Sequence, residues 1–507
     1  MKADRIESRL YNSKRNIISG LVRQMLVVLM TFVVRSVVIF KLGPDYQGLN
    51  GLFSSILMVL NVSELGVSTA VTYLLYKPVS ENDKQTICAI IAFLKKCYVI
   101  IGTFIFGVGL LILPFIKGFI KGEYPRDINI YLIFLIYLIN TVISYYLFSY
   151  KITFLTATQR IDVVNNIYSL FYLCSCILQI LVIVLFQNYY CYVIVLLFFN
   201  IIDNIVVEAF SRKLYPDIIP QGMISDELKD KLIRDIKSIF INQIGDISRN
   251  AFDNIILSRY LGLVVVTIYG NYYCIYAALY GIMGCIVHSI KASVGNSLVE
   301  ESVEKNYQDM LRFSFIFMII VGWCSICLFV LYQPFMLLWM RDERMMLSFG
   351  NMILFCIYFY FISMTYTKNL YLEAYGLFYE SRKLYILESI GNLVLNIVLG
   401  GFLGVTGVLI ATIVTIFVFN FLGGTRVLFK NYFKQSEKEF LLQHLFYFGL
   451  TVILCFIIKF VADLFDFNIY YDIVLRVILC IVIPAILYYV IYRNNKYFKY
   501  FKDIFIV

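Results

Sequence analysis

Charged residues are scarce in this chain: Asp, Glu, Lys and Arg together make up 15% of its 507 residues. A soluble chain needs about 25% charged residues to cover its surface, so an ordinary soluble multidomain protein is excluded. Hydrophobic residues make up 61% of the sequence, and the mean hydropathy is +0.81. Much of the surface must therefore lie in lipid, which predicts an all-α polytopic membrane protein.

Histidine is also scarce, and cysteine is not arranged for metal or disulfide chemistry. The 2 histidines, His288 and His444, are too few and too far apart for a metal site. The 12 cysteines lie mostly in apolar runs, and the closely spaced Cys324 and Cys327 have no second pair, as is typical of small packing residues. The GxxxxGK(S/T), HExxH and GxSxG motifs do not occur. We therefore expect no enzyme activity and no cofactor.

Long apolar runs are abundant, and their number predicts the topology. A spanning helix needs about 20 apolar residues, and runs of that kind predict about 14 transmembrane helices. The second predicted span covers 53–75, and the seventh, 238–259, carries several charges. With the N-terminus in the cytoplasm, most of the 43 basic residues fall in cytoplasmic loops. The net charge of +10 therefore marks topology with both termini inside, and it does not indicate nucleic-acid binding.

A long cytoplasmic connection divides the predicted spans into two halves. We predict an N-terminal six-helix bundle, a cytoplasmic linker, a second six-helix bundle and a terminal transmembrane pair with a basic tail. Their respective ranges are 1–209, 210–237, 238–430 and 431–507. This pattern predicts two pseudo-symmetric bundles.

Two local patterns support this division. Ser225, followed by Glu227 and Leu228, predicts a helix start within the linker. The first predicted span ends at Gly43 and the seventh at Gly262, and each glycine precedes a stretch rich in Tyr, Gly and Asn. This weak internal repeat is typical of transporters that bind their substrate between two repeated halves.

Polar side chains follow one face of four predicted helices. Charged side chains at the bilayer centre cost about 2.5–3.5 kcal/mol each, so these faces must point at one another or at a water-filled cavity. The helical spacing joins four sets: Gln24, Val28, Thr31 and Arg35, bordered by Arg23; Asn61, Glu64, Ser68 and Thr72; Asn242, Asp246, Arg249 and Asp253; and Gly281, Gly284, His288 and Lys291.

The charges on these faces indicate a cavity that binds an anionic head group. The candidate substrate-binding side chains are basic, and carboxylates in the same cavity could titrate with a coupling ion. The two groups are Arg23, Arg35, Arg249 and Lys291 for the substrate, and Glu64, Asp246 and Asp253 for the ion. Alternatively, Asp246, Arg249 and Asp253 neutralise one another within their helix and form only a buried ion-pair seam. A further row, Glu388, Asn392 and Asn396, predicts a hydrogen-bonded seam between helices.

Several segments resemble bacterial polysaccharide-export flippases, the Wzx-type members of the multidrug/oligosaccharidyl-lipid/polysaccharide (MOP) superfamily. The resemblance rests on GPDYQGLNGLF over 43–53, LNVSELGVSTA over 60–70, YLLYKP over 73–78 and GVTGVLIAT over 404–412. In its layout of predicted spans it extends over nearly the whole chain.

This resemblance implies a specific transport function in the bacterial plasma membrane. It implies two six-helix bundles around a central cavity, and translocation of an undecaprenyl-diphosphate-linked oligosaccharide during surface polysaccharide synthesis. Arg35 and Arg249 would then hold diphosphate or acidic sugar, while Glu64 or the pair Asp246 and Asp253 would couple transport to H⁺ or Na⁺. The implied partners are membrane lipids, the lipid-linked substrate, a polysaccharide polymerase and glycosyltransferases, with no nucleic acid.

Other functions remain open at this stage. A drug/cation antiporter or a lipid II flippase would share the fold, although a drug antiporter favours an anionic, aromatic cavity. A membrane oligosaccharide polymerase belongs to a different class and usually carries a large outer loop. The predicted outer loops here are short, which favours a transporter.

Overall fold

A computed structural model gives the structure of the protein and describes the backbone of residues 2–64, 66–465 and 467–499. Side chains are described for the same residues except 2–14, 63, 235, 237–239, 241–250, 288 and 292. Every regular element in this part of the chain is a helix. The predicted all-α fold class is confirmed.

Packing divides the chain into two compact units, Met1–Thr267 and Ile268–Val507. The first unit contains nine α-helices and the start of a tenth. In chain order these are α1 (Lys2–Lys41), α2 (Pro44–Leu60), α3 (Val67–Glu81), α4 (Lys84–Ile112), α5 (Ile130–Tyr146), α6 (Ser149–Ala157), α7 (Ile161–Phe186), α8 (Tyr189–Leu214), α9 (Asp226–Leu261) and α10 (Leu263–Glu300).

The second unit contains the rest of α10 and the remaining helices. They are α11 (Val303–Met340), α12 (Phe349–Tyr375), α13 (Phe378–Leu403), α14 (Val405–Thr415), α15 (Gly424–Leu428), α16 (Lys438–Asp463) and α17 (Ile469–Tyr492). Two π-helical segments, Ile416–Gly423 and Phe429–Phe433, lie before and after α15. Together with α14 and α15 they form one continuous helical stretch.

Eleven helical stretches of the described chain are long and apolar enough to cross a membrane. A twelfth forms if α5 and α6, which are bent by 50°, count as one span. The protein is therefore a multi-pass membrane protein. The predicted second span is broken into α2 and α3, and the predicted seventh lies in the charged helix α9; neither is among the eleven. The total of about 14 spans and the cytoplasmic termini stay predictions.

The predicted helix start at Ser225 is confirmed. Ser225 Oγ accepts a hydrogen bond from the N–H of Leu228 at 3.4 Å, which satisfies one of the free N–H groups of the first turn. The helix that begins there, α9, runs without a break from the predicted linker through the predicted seventh span. It packs against α2 and α3 in the first unit.

The two glycines of the internal repeat share an unusual backbone conformation. Gly43 has φ 119° and ψ 164°, and Gly262 has φ 93° and ψ 177°. Side-chain-bearing residues rarely adopt this conformation, so glycine is required at both turns. Each glycine separates two consecutive helices that change direction between them.

The first unit is built on close contacts around α2. Phe53 packs edge-on against Phe134 of α5, with ring centroids 5.4 Å apart, and both side chains are fully buried. On another face of α2, a Cβ at Gly48 would lie 2.3 Å from the carbonyl oxygen of Leu263. The contact joins two backbones and leaves no side chain that could move aside. The close packing of α2 on the start of α10 therefore depends on Gly48.

We expect Gly48→Ala to destabilise the protein by about 1–3 kcal/mol, the usual range for overpacking a close contact. The thermal unfolding midpoint of the purified protein would measure the loss. Gly107→Ala on α4 is the matched control, because a Cβ there meets no atom within 4 Å. Equal midpoints for the two variants would contradict the close contact at Gly48.

In the second unit, α11 is the central helix and packs against α12, α16 and α17. The terminal pair α16 and α17 is joined by Arg476, which contacts Asp472 and Asp463 at 2.8 Å each. The pair thus forms part of the second unit and is not a separate body.

Candidate functional site

The larger cavity of the first unit is lined by polar uncharged side chains and one guanidinium. It has a volume of about 460 Å³, and we call it the Arg35 cavity. Its lining comes from α1, α2, the residue after α2, α5, α7 and α8. The lining residues are Thr31, Val34, Arg35, Gln47, Asn50, Ser54, Leu57, Met58, Asn61, Tyr137, Asn140, Thr141, Tyr172, Cys176, Gln179, Tyr192 and Leu196.

Arg35 and Thr31 reach this cavity because they lie one turn apart on the same face of α1. Arg35 Nη2 donates a hydrogen bond to the carbonyl oxygen of Thr267 at 2.8 Å, which ties α1 to the first turns of α10. Thr31 Oγ1 lies 3.0 Å from the hydroxyl of Tyr172 on α7. The guanidinium has five N–H donors in a planar fork, so a single backbone contact leaves it able to bind an anion as well.

The amide side chains of the Arg35 cavity are held in place by neighbouring polar groups. Tyr137 donates a hydrogen bond to Asn50 Oδ1 at 3.1 Å, and Asn50 Nδ2 donates to the hydroxyl of Tyr192 at 3.4 Å. Asn140 Oδ1 accepts from Asn200 Nδ2 at 3.0 Å. Fixed amides and phenols offer both donors and acceptors, which suits a ligand that carries many hydroxyl groups.

A second cavity, of about 410 Å³, surrounds Glu64, and we call it the Glu64 cavity. Apart from Glu64 and Ile152, every lining residue carries a hydroxyl group, and none of those described is basic. They are Ser68, Thr69, Thr72, Tyr73, Tyr76, Tyr98, Ser144, Tyr145, Ser149, Thr153 and Thr156. A carboxylate in this setting is surrounded by neutral oxygen atoms.

Glu64 lies where the helix between Gly43 and Asn82 is broken. A 3₁₀ turn, Asn61–Glu64, follows α2, and Gly66, with φ 84°, precedes α3. Tyr145 donates a hydrogen bond to Glu64 Oε2 at 2.8 Å, and Tyr98 donates to Oε1 at 3.3 Å. Because the break is about midway between the two turns, it places the carboxylate near the middle of the span, as in discontinuous transporter helices.

The two cavities approach each other at Asn61. Asn61 lines the Arg35 cavity, and its Oδ1 lies 3.5 Å from the hydroxyl of Tyr145, which bonds Glu64. The cation and the carboxylate predicted from two separate polar faces thus belong to neighbouring cavities of the same unit. A change in the hydrogen bonding of Glu64 would reach the Arg35 cavity through Tyr145 and Asn61.

The other predicted site residues lie elsewhere. Arg23 donates to Asn165 Oδ1 at 3.2 Å, stacks over Tyr168 and lines neither cavity. Lys291 forms an ion pair with Glu373 at 2.6 Å in the second unit. Asp253 on α9 is 3% exposed and lines neither cavity. The side chains of Asp246 and Arg249 lie outside the described residues, so their roles stay predictions.

Sequence reasoning missed two buried lysines, Lys151 and Lys368, each 1% exposed. Lys151 Nζ lies 3.7 Å from Glu208 and donates to the carbonyl oxygen of Ile218 at 3.2 Å. Lys368 lies on α12 in the second unit. A lone lysine within an apolar run would have revealed both, but neither shares a polar face with a predicted site residue.

The predicted seam on α13 is confirmed. Asn396 donates to Asn392 Oδ1 at 3.2 Å, and Asn392 donates to Thr412 Oγ1 of α14 at 3.1 Å. Glu388, the first residue of this row, is 1% exposed. Among the described residues, no group of three or more His, Cys, Asp or Glu side chains could hold a metal ion.

The fold is that of transporters of the MOP superfamily. The chain is similar to the structure of the lipid II flippase MurJ in an inward closed conformation, with a TM-score of 0.68 and 15% identity, over 94% of this chain and 98% of that one. It is also similar to an inward-facing multidrug resistance MATE family transporter of the MOP superfamily, with a TM-score of 0.61 and 15% identity, over 81% and 98% of the two chains.

A third similar structure is that of the MATE multidrug transporter DinF-BH, with a TM-score of 0.58 and 15% identity, over 84% of this chain and 97% of that one. No family model and no curated protein sequence matches this chain. At these identities the likeness establishes the fold. The substrate must be argued from the cavities.

Proposed function

We propose that the protein is a flippase that moves undecaprenyl-diphosphate-linked oligosaccharides across the bacterial plasma membrane for surface polysaccharide synthesis. The observation that carries this proposal is the Arg35 cavity, which combines one guanidinium with fixed amides and phenols. A guanidinium binds phosphate through charge-assisted hydrogen bonds, and the amides and phenols match the hydroxyl groups of sugars. The head group would occupy this cavity while the lipid tail stays in the bilayer.

Transport would proceed by alternating access, with the cavity opening in turn to either side of the membrane. Membrane lipids and the lipid-linked oligosaccharide are the proposed partners, and glycosyltransferases and a polysaccharide polymerase would act before and after this step. The predicted binding residues Arg23, Arg249 and Lys291 would meet the head group in other states of the cycle. None of these steps requires a covalent reaction on the protein.

We assign ion coupling to Glu64, with H⁺ or Na⁺ as the coupling ion. An ionised carboxylate surrounded by hydroxyl groups at mid-span is costly unless a cation or a proton joins it. The two tyrosine hydroxyls stabilise the ionised form and hold it ready to bind that cation. Asp246 and Asp253 remain further candidates for the same role.

Lipid II transport is a second candidate, favoured by the likeness to the lipid II flippase over 94% of this chain. Lipid II also joins a diphosphate to sugar, so Arg35 could bind either substrate. A drug/cation antiporter of the MATE kind fits less well, because a basic side chain in the cavity repels a cationic drug.

Reconstituted transport distinguishes these substrates. Proteoliposomes that contain the purified protein would be loaded with a fluorescent undecaprenyl-diphosphate-linked oligosaccharide, lipid II or a cationic dye, and transbilayer movement would be followed by quenching from outside. We expect faster movement of the oligosaccharide than in protein-free vesicles, and no uptake of the dye. Movement of lipid II alone would favour the second candidate, and dye uptake alone would refute the proposal.

A further inference from the structure

A buried lysine, asparagine and glutamate come together in the second unit, outside both cavities. Lys368 lies on α12, Asn420 lies in the π-helical segment Ile416–Gly423, and Glu388 lies on α13. Their exposed fractions are 1%, 5% and 1%, respectively. Opposite charges are thus enclosed within a helix bundle of a membrane protein, where each would be costly alone.

The amide of Asn420 connects the two charges. Lys368 Nζ donates to Asn420 Oδ1 at 2.8 Å, and Asn420 Nδ2 donates to Glu388 Oε2 at 3.1 Å. The amide dipole is therefore oriented by the ammonium at one end and by the carboxylate at the other. If Glu388 becomes neutral, this orientation loses half of its electrostatic support.

The backbone around Asn420 is adapted to this arrangement. π-helical turns are rare and are frequently found at functional sites, and this segment is eight residues long. At the next residue after the segment, Gly424, a Cβ would lie 2.4 Å from Lys368 Nζ. Gly424 therefore makes room for the ammonium group.

Other charged groups near this cluster lie towards exposed positions. The elements that pack against α13 here are α14, the π-helical segment and α15, and their charged residue is Arg426, which is exposed. On α12 the other charged side chain is Glu373, which pairs with Lys291. On α13 itself, Glu380, Arg382 and Lys383 lie near the first turns of the helix, before Glu388. Lys368 is thus the buried cation that acts on Glu388.

We propose that Glu388 is a proton-binding site of the second unit, with Lys368 as its built-in cation and Asn420 as the connection between them. The proton adds to a carboxylate oxygen of Glu388 and converts it to a carboxylic acid, and no electrons are transferred. A metal ion is excluded because it would need several oxygen ligands, whereas Lys368 already takes the oxygen of Asn420. The role in coupling rests on the proposed transport function, but proton binding itself does not.

Infrared difference spectra of the purified protein between about pH 5 and pH 9 test this site directly. We expect one carboxylic-acid band that is present in the wild type, absent in Glu388→Gln and unchanged when NaCl replaces choline chloride. Glu380→Gln is the matched control, because it makes the same change at an exposed position of the same helix. A Glu388→Gln spectrum identical to that of the wild type, or a band that changes with Na⁺, would overturn the inference.

A second variant guards against misfolding. Lys368→Met removes the cation, so the band should remain and titrate at a higher pH, with at least a tenfold higher proton affinity. If Glu388→Gln does not fold, the double variant with Lys368→Met, which restores charge balance, should fold and lack the band. A band that persists in the double variant would also overturn the inference. Failure of oligosaccharide movement in proteoliposomes would refute the proposed function while leaving this titration unaffected.

Discussion

Arg35→Ala should reduce oligosaccharide flipping in proteoliposomes at least tenfold without lowering the amount of folded protein. Charge-assisted hydrogen bonds to a phosphate are worth about 1.5–3 kcal/mol, which corresponds to about 10- to 150-fold in affinity. Arg35 is the basic side chain that lines the Arg35 cavity, so its loss removes the charge opposite the diphosphate. The variant also loses the bond to Thr267, and thermal unfolding would measure that contribution separately.

Two further variants define the role of Arg35. Arg35→Lys keeps the charge but loses the planar fork, so it should retain part of the activity. Lys41→Ala removes an exposed basic residue from the same helix and should leave flipping unchanged. If Arg35→Ala flips the oligosaccharide as fast as Lys41→Ala, the Arg35 cavity does not bind the diphosphate.

Glu64→Gln should abolish transport driven by an ion gradient while leaving exchange at equilibrium in place. The amide has nearly the same shape as the carboxyl group and still accepts hydrogen bonds from Tyr98 and Tyr145, so the fold should be retained. It cannot bind a proton or carry the negative charge that attracts Na⁺. Gradient-driven accumulation should therefore fall at least tenfold, measured with either a pH gradient or a Na⁺ gradient imposed on the vesicles.

Tyr145→Phe tests whether the setting of Glu64 matters as well as its charge. This change removes the 2.8 Å hydrogen bond but keeps the carboxyl group, so the ionised form loses about 1.5–3 kcal/mol of stabilisation. Transport should then respond at a higher pH than in the wild type. Unchanged gradient-driven accumulation in Glu64→Gln would instead leave Asp246 and Asp253 as the coupling candidates.

Helical periodicity was sufficient to find the polar faces but not their surroundings. Thr31 and Arg35 were predicted to share a face of α1, and both line the Arg35 cavity. Arg23 borders the same face, yet its side chain contacts Asn165 outside the cavity. The period of a helix determines which residues share a direction, but the neighbouring helices determine what lies in that direction.

The break in the predicted second span illustrates a second limit. The sequence 53–75 reads as one apolar span with a polar face, whereas the structure contains α2, a 3₁₀ turn and α3. Asn61, Ser63 and Gly66 weaken the helix locally, but similar residues occur within unbroken helices. Whether the backbone breaks depends on the partners available there, and Tyr98 and Tyr145 lie on α4 and α5.

The sequence by itself determined the class of this protein, because scarce charge and long apolar runs admit only a multi-pass helical membrane protein. It also determined where charge enters the predicted spans, and so which side chains needed partners. Tertiary structure decided the partners: Glu64 with two tyrosines, Arg35 among amides and phenols, and Lys368 with Glu388 through Asn420. Composition and period are local properties, whereas a cavity forms only when helices far apart in the chain pack together.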